Sequence, residues 1–548
     1  MKRISIIVFI SLISFTSFAQ RRGNLDTSKP TTVVVTSQFK PVLRPSAKIN
    51  FVAAVPSADT ARPNLFYTIP SQNLFFVYQP TPLKPLALNV DSAIAWVNHN
   101  YIKAGFGNYT TPYLQAGFTM GDGKNGVLNI NAKHVASKGK LPFQQFSNTN
   151  ISALAVINAA NNNEFTTKIH VDNSNQYFYG YQPSTLTFTK DQLRQRFTSF
   201  GGRVALRNKD VNAPLSYNPA IGLEFFNDNH SGVETTLSFD APVSKDITRM
   251  FAFNVGLHGS LTNLKTQANS KIKNNLFWLD PAVQFKTPNL VINAGFNPTW
   301  DNSVFIWQPN FWANAKLRDE KFVLQLGWTG YYLNNTYQSL AAFNPWIAQP
   351  TFLSNTRVRE QFAGFKGSAG NHLTYNARVS YLNYSNMPLF INDNVDGKTF
   401  TVLNEPEMKA IRIHGELGYT IQEKFSFLAG ATFNQYSNLK VNDKSYGLLP
   451  LELTGSLRWQ ILKELSFKSD LFFWNGALYK TQAGTNERLG SAIDLNAGAE
   501  LAITPKFSGF LQFNNIFNNQ YQRWNQYQVL GFNVLGGIVY SFSKTANK

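Results

Sequence analysis

The chain has 548 residues, no cysteine, 14% aromatic residues including 46 Phe and 22 Tyr, and a formal net charge of +19. Without cysteine it carries neither a disulfide nor a lipid anchor on an N-terminal cysteine, and beyond the N-terminus no run of about 18 apolar residues supplies a membrane-spanning helix. The basic excess is scattered along the chain, which in an exported protein argues against nucleic acid as a partner.

The chain opens with MKRISIIVFISLISFTSFAQ, in which Lys2 and Arg3 precede an apolar stretch and the small residues Ser17 and Ala19 precede Gln20. This is the layout of a secretory signal, residues 1–19, removed after Ala19. Residues 20–97 are of another kind: nine of the 25 prolines lie between Pro30 and Pro85. Proline at that density forbids long ladders and regular helix and favours extended chain. The segment reads as a Pro-rich periplasmic arm. It also carries Phe51, Leu65, Phe66, Phe75, Phe76 and Tyr78, for which a flexible linker has no use, so it is expected to pack on a barrel wall or on a periplasmic partner.

From Asn98 to Phe542 the sequence keeps one rhythm of alternating segments, about ten or more residues each. In KFVLQLGWTG, Phe322, Leu324, Leu326 and Trp328 share one face and Val323, Gln325, Gly327 and Thr329 the other. LELTGSLRWQI sets Leu451, Leu453, Leu457, Trp459 and Ile461 against Glu452, Thr454, Ser456, Arg458 and Gln460, and IRIHGELGYTI repeats the pattern. Short connections recur at 121–125, 161–164, 287–289, 318–321, 369–372, 422–424, 463–465 and 504–506, with longer polar loops between them, notably Asn335 to Thr356 and Asn383 to Asn404. Short turns on one side, long loops on the other and roughly 22 strands predict an all-β fold: a transmembrane antiparallel β-barrel with its apolar face in lipid and its polar face around a wet lumen. A soluble sandwich of that many strands would need several domains and linkers between them. No linker interrupts residues 98–542, and 543–548 form a short tail.

The phasing places Lys133, Lys168, Arg203, Arg378, Arg412, Glu416, Arg458, Lys468 and Asp470 on the inward face, a mixed but cation-rich lumen suited to anionic solutes, to a polar plug, or simply to paired structural charges. Enzyme signatures are weak. The seven histidines show no metal-ligand spacing, no G-x-S-x-G elbow is present, and no cofactor is implied. DGKT at 396–399 imitates the end of a phosphate loop but has Asn392 where glycine is needed. GDGKNG at 121–126 matches G-x-G-x-x-G yet joins two strands, so it reads as a hairpin turn. His170 and Asp172 share a strand face and read as structural rather than catalytic.

The segment NNIFNNQYQRWNQYQVLGFNVLGGIVYSF, residues 514–542, resembles the C-terminal hairpin of TonB-dependent receptors. Asn515, Phe517, Asn518 and Tyr521 fit the N-x-F-N-x-x-Y pattern of the penultimate strand in that family, and the final strand ends on Tyr540 and Phe542, the aromatic signal that barrel-assembly machinery reads. The resemblance implies an outer-membrane barrel that receives or transports a ligand. TTVVVTS, with Thr32, Val33, Val34, Val35 and Thr36, is similar to the short box by which such receptors engage TonB. The departure is the plug, because family members carry a domain ahead of the barrel larger than residues 20–97. A barrel of this size is normally too wide to leave empty, so the arm, a partner or an open pore is expected there. A second expectation follows: a non-transporting scaffold of an envelope assembly, with the arm binding periplasmic partners; either reading leaves room for periplasmic or surface protein partners.

Overall fold

The computed structural model describes residues 97–545, apart from 211–212 and 319–320. The signal, almost all of the arm with Thr32 to Thr36, and the last three residues of the tail lie outside the described residues.

One antiparallel sheet of 24 strands makes up nearly the whole structure. Two pairs of these strands are halves of single crossings, Ser216–Tyr217 with Ala220–Asp228 and Lys271–Leu279 with Ala282–Lys286, because each half pairs with a neighbour that the other half also uses. The interruptions fall at Pro219 and Pro281, which have no amide hydrogen for the ladder. Twenty-two crossings remain. The first strand, Val97–Gly107, pairs with the last, Asn533–Thr545, from Val97↔Thr545 to Gly107↔Leu535, so the sheet is closed and has no free edge.

The two faces differ as the period of two requires. Ile151, Ile169, Phe200, Phe311, Leu326, Val379, Ile413 and Ile538 point outward and are exposed. On the last strand Ile538 is 59% exposed while its neighbour Val539 is fully buried. Aromatic rings edge this apolar band at both ends. Tyr419, Phe425 and Trp459 contact one another in a row, Phe507 meets Tyr540, and Phe296, Trp300, Phe305 and Trp307 cluster at the other end. An apolar belt between aromatic girdles is the surface of a barrel set in a bilayer. Among the described residues no helix is long and apolar enough to cross a membrane.

At one end most connections are short. Asn161 and Asn162 adopt positive φ of 58° and 56°, the left-handed pair that a tight hairpin turn needs and that asparagine tolerates. This turn end also includes 209–215 and 247–250, two connections that the sequence rhythm does not mark. The opposite end is mixed: 108–110, 229–232 and 302–303 are short, whereas 178–193, 334–355, 386–407, 438–450, 476–491 and 515–532 are long and carry structure of their own. Helices α1 (Lys190–Leu193) and α2 (Tyr337–Phe343) lie there, with small hairpins such as Met387–Asn392 with Phe400–Glu405.

Candidate functional site

The loops fold inward. Loop 334–355 is fixed at its base by amides: Asn274 Nδ2 donates to Asn355 Oδ1 at 2.8 Å and to Asn335 O at 3.1 Å, and Asn355 Nδ2 donates to Asp301 Oδ1 at 2.8 Å. Helix α2 then starts on a capping box, in which Ser339 N donates to Thr336 Oγ1 and Thr336 N to Ser339 Oγ. Wall carboxylates seat it. Glu234 accepts from Tyr337 N at 2.6 Å and Gln338 N at 3.0 Å, Asp228 accepts from Tyr337 Oη at 2.9 Å, and Glu224 accepts from Gln338 Nε2 at 2.8 Å. The Glu234 carboxyl thereby takes two of the amide groups that a helix start leaves without partners.

Around α2 an aromatic core fills the mouth. Tyr337 packs between Phe197 and Phe226 of the wall, while Trp524 contacts Phe343, Phe390 and Phe400 from two other loops. Trp346 stacks on Tyr527 with ring centroids 4.0 Å apart, and Tyr179 meets Tyr527 edge-on at 5.0 Å. A second cluster joins Tyr446 and Leu448 of loop 438–450 to Leu389, Leu382 and Met408. Burying each such ring stabilises the closed arrangement by on the order of 2 kcal/mol. The barrel's own loops therefore meet one another at the mouth.

Beside this core lies a cavity of about 200 Å³, lined by Trp346, Trp524, Tyr527 and Tyr179 together with Arg523, Asp494 and Asn496. Arg523 is 4% exposed and makes no hydrogen bond or ion pair with any described residue. Its guanidinium lies 4.4 Å from the centre of the Trp524 ring and 5.5 Å from that of Phe343. Burial pushes its pKa down to about 10, so it stays charged at neutral pH. Across the cavity Asp494 Oδ2 accepts from Tyr521 Oη at 2.7 Å, and Asn496 Oδ1 accepts from Asn515 N at 2.9 Å. Tyr521 and Asn515 belong to the N-x-F-N-x-x-Y pattern, but Arg523 does not stand out in the sequence, where it sits in a polar run between Gln522 and Trp524.

The nine inward charges are distributed around the wall rather than gathered at this cavity, which only Lys133 also lines. All nine occupy the strand face opposite the exposed apolar residues. Lys168 and Arg203 are register partners, and Arg203 Nη2 lies 2.6 Å from Asp240 Oδ2. Arg378 stacks on Phe362 at 4.0 Å with Glu360 at 3.9 Å, and Arg412 donates to Asn434 Oδ1 and Tyr384 Oη. Glu416 lies 3.3 Å from His414 Nε2, and Arg458, in register with Lys468, pairs with Asp470 at 3.1 Å. One ion pair that the phasing does not single out, Lys103 with Glu500 at 3.2 Å, is buried under the Phe510 ring. Tyr540 and Phe542 stack 5.6 Å apart at the end of the last strand.

The motif-like stretches have local roles. Asp122 of GDGKNG accepts from Asn125 N at 2.7 Å and Lys124 N at 2.9 Å, which hold its carboxyl down to about 2. DGKT belongs to a hairpin tip whose amides point at a carboxylate of the chain itself: Asp393 accepts from Val395, Asp396, Gly397 and Thr399 N at 3.0 to 3.3 Å. His170 lies 3.1 Å from Glu224 and 3.7 Å from Asp172, within the polar scaffold that seats α2. Among the described residues no group of His, Asp or Glu has the geometry of a metal site.

No family model matches the sequence, and no curated protein matches it. Solved structures do. The FrpB iron transporter from Neisseria meningitidis, F3-3 variant, superposes with a TM-score of 0.63 at 11% identity over 81% of this chain and 81% of its own. A mutant ferric enterobactin receptor, PfeA, from Pseudomonas aeruginosa gives 0.60 at 12% over 82% and 81%, and FpvA of P. aeruginosa bound to a heterologous pyoverdine gives 0.60 at 11% over 81% and 72%. With its closed circle of 22 antiparallel strands, the chain has the barrel fold of the TonB-dependent receptors.

Proposed function

We propose that the protein is an outer-membrane receptor that admits a ligand through a mouth held shut at rest by its own loops. The observation that carries this reading is the aromatic core around α2, because it puts movable loops, rather than wall strands, between the outside and a wide lumen. Transport and reception are what the names of the FrpB, PfeA and FpvA structures describe, and a similar barrel with a ligand cavity at its loop end suits the same task. Loop displacement on ligand binding would open the path, the ligand supplying its differential affinity for the open form.

Conductance in planar bilayers tests this. The full chain is expected to be silent, and a variant with residues 337–347 replaced by a Gly-Ser linker of equal length is expected to give a large steady pore. A silent variant would sink the transport reading and favour the scaffold reading, in which a sealed barrel anchors an envelope assembly through its arm. A steadily conducting wild-type barrel would sink the closed mouth.

A further inference from the structure

We propose that the cavity beside Trp346 and Tyr527 binds a small aromatic carboxylate, with Arg523 as its anion-binding residue. This deepens the receptor reading and rests on it. A guanidinium removed from water requires a partner for its charge and its N–H donors. For Arg523 the charge is met only at longer range, by Glu452, while Nε and Nη1 are buried without an acceptor and no carboxylate among the described residues reaches ion-pair distance. Its planar face is already taken by Trp524, which leaves the N–H edge as the direction in which it can bind. A fork of parallel donors matches a carboxylate.

The rest of the wall selects what the carboxylate is attached to. Trp346, Tyr527 and Tyr179 present ring faces and edges, which suit a planar apolar body. Trp346 Nε1 is a further buried donor without an acceptor among the described residues. Asp494 lines the same space, with Tyr521 Oη donating to Oδ2 and the Asn496 amide and Asn515 N–H beside the carboxyl. Its carboxylate opposes a dianion such as phosphate. At about 200 Å³ the space is smaller than the roughly 300 Å³ typical of sites for larger organic ligands, which fits one ring with a short arm.

Trp346 and Trp524 make the site self-reporting. The full-length protein in detergent is titrated with 3-phenylpropanoate while tryptophan fluorescence is followed, and 3-phenylpropanol, inorganic phosphate and phenylalanine serve as comparison probes. Saturable quenching by 3-phenylpropanoate is expected, with the neutral alcohol and phosphate at least about tenfold weaker, the least that loss of a charge-assisted hydrogen bond produces. Arg523→Gln is expected to lower 3-phenylpropanoate affinity by the same factor or more while the protein keeps its heat-dependent shift on gels. Equal binding of the alcohol, equal binding of phosphate, unchanged affinity in Arg523→Gln or no saturable response would each overturn the proposal. So would tighter binding of phenylalanine, since Asp494 would then be recruiting an ammonium group. The comparison among probes uses wild-type protein alone and stands even if the variant misfolds. Binding by a barrel that never conducts leaves this site in place and removes only transport. A gated pore without binding does the reverse.

Discussion

Single residues decide whether the barrel closes and whether its loops hold their shape. Gly537 faces Gly105 across the seam between first and last strands. A Cβ at Gly537 would stand 2.1 Å from Ala104 O and 2.7 Å from the Phe510 ring, and one at Gly105 would meet the same ring at 2.7 Å. Phe510 thus covers a pair of glycines, and Lys103 Nζ lies 3.9 Å from the centre of the same ring. Gly537→Val is expected to prevent closure, seen as loss of the folded, fast-migrating band on unboiled gels, whereas Gly484→Ala, which meets no atoms but sits at a φ of +82° in a loop, should leave that band in place. Asp393 gives a pH-dependent case. Burial raises its pKa, but the amide and hydroxyl donors of Val395, Asp396 and Thr399 outweigh that and hold it below the ordinary carboxylate value of 3.8. A depressed folded pKa means that the stabilisation is present above the unfolded value and lost as pH falls through the folded one. Proteolysis at 393–399 should therefore be slow at neutral pH and accelerate below about pH 3.8, and Asp393→Asn should show the fast rate at neutral pH. Slow cleavage in that variant would rule out the carboxylate as the tip's organiser.

At the scale of elements, the strands were legible in the sequence and the loops were not. A strand's side chains alternate by geometry, so a row such as Ile411, Ile413, Leu417 and Tyr419 declares its outward face without knowledge of any neighbour. The turns at 209–215 and 247–250 fall outside the short connections that the rhythm marks, and Pro219 and Pro281 interrupt single crossings. Loop structure depends on partners far away in the chain. Tyr337 is buried because Phe197 and Phe226, distant in the chain, are beside it, and Arg523 because the distant Phe343 covers it together with its own neighbour Trp524. The pairing of charges, such as Arg203 with Asp240, depends on register and on strands distant in sequence. Helix α2 supplies a test at this scale. It is too short to persist alone, so its cap and its wall carboxylates set its lifetime. Thr336→Ala should cost about 1 kcal/mol and speed amide exchange in 337–343 roughly fivefold, with exchange in the barrel strands unchanged. An unaltered rate would mean that the aromatic contacts alone hold the helix.

For the whole molecule, the belt of outward Ile, Leu, Val and Phe between rings of Trp and Tyr has one physical meaning, burial in hydrocarbon. Exposed apolar surface on that scale is not carried by a soluble monomer. The protein extracted without detergent is expected to aggregate, and in detergent it should migrate differently before and after boiling because every ladder is closed on itself. Free solubility together with migration indifferent to heating would remove the barrel. A closed cylinder of 22 strands is wide, and on its own such a hoop is soft: its outline can ovalise at little cost, since each hinge between neighbouring strands need turn only slightly. The inward loops arise at separate points of the circumference and meet at Trp524, Tyr527 and Tyr337, as spokes meet at a hub. Sideways load from crowded lipid would therefore be carried across the diameter rather than around the rim. Removing the hub should free the outer rim to breathe while the turn end, tied by its tight hairpins, keeps its outline.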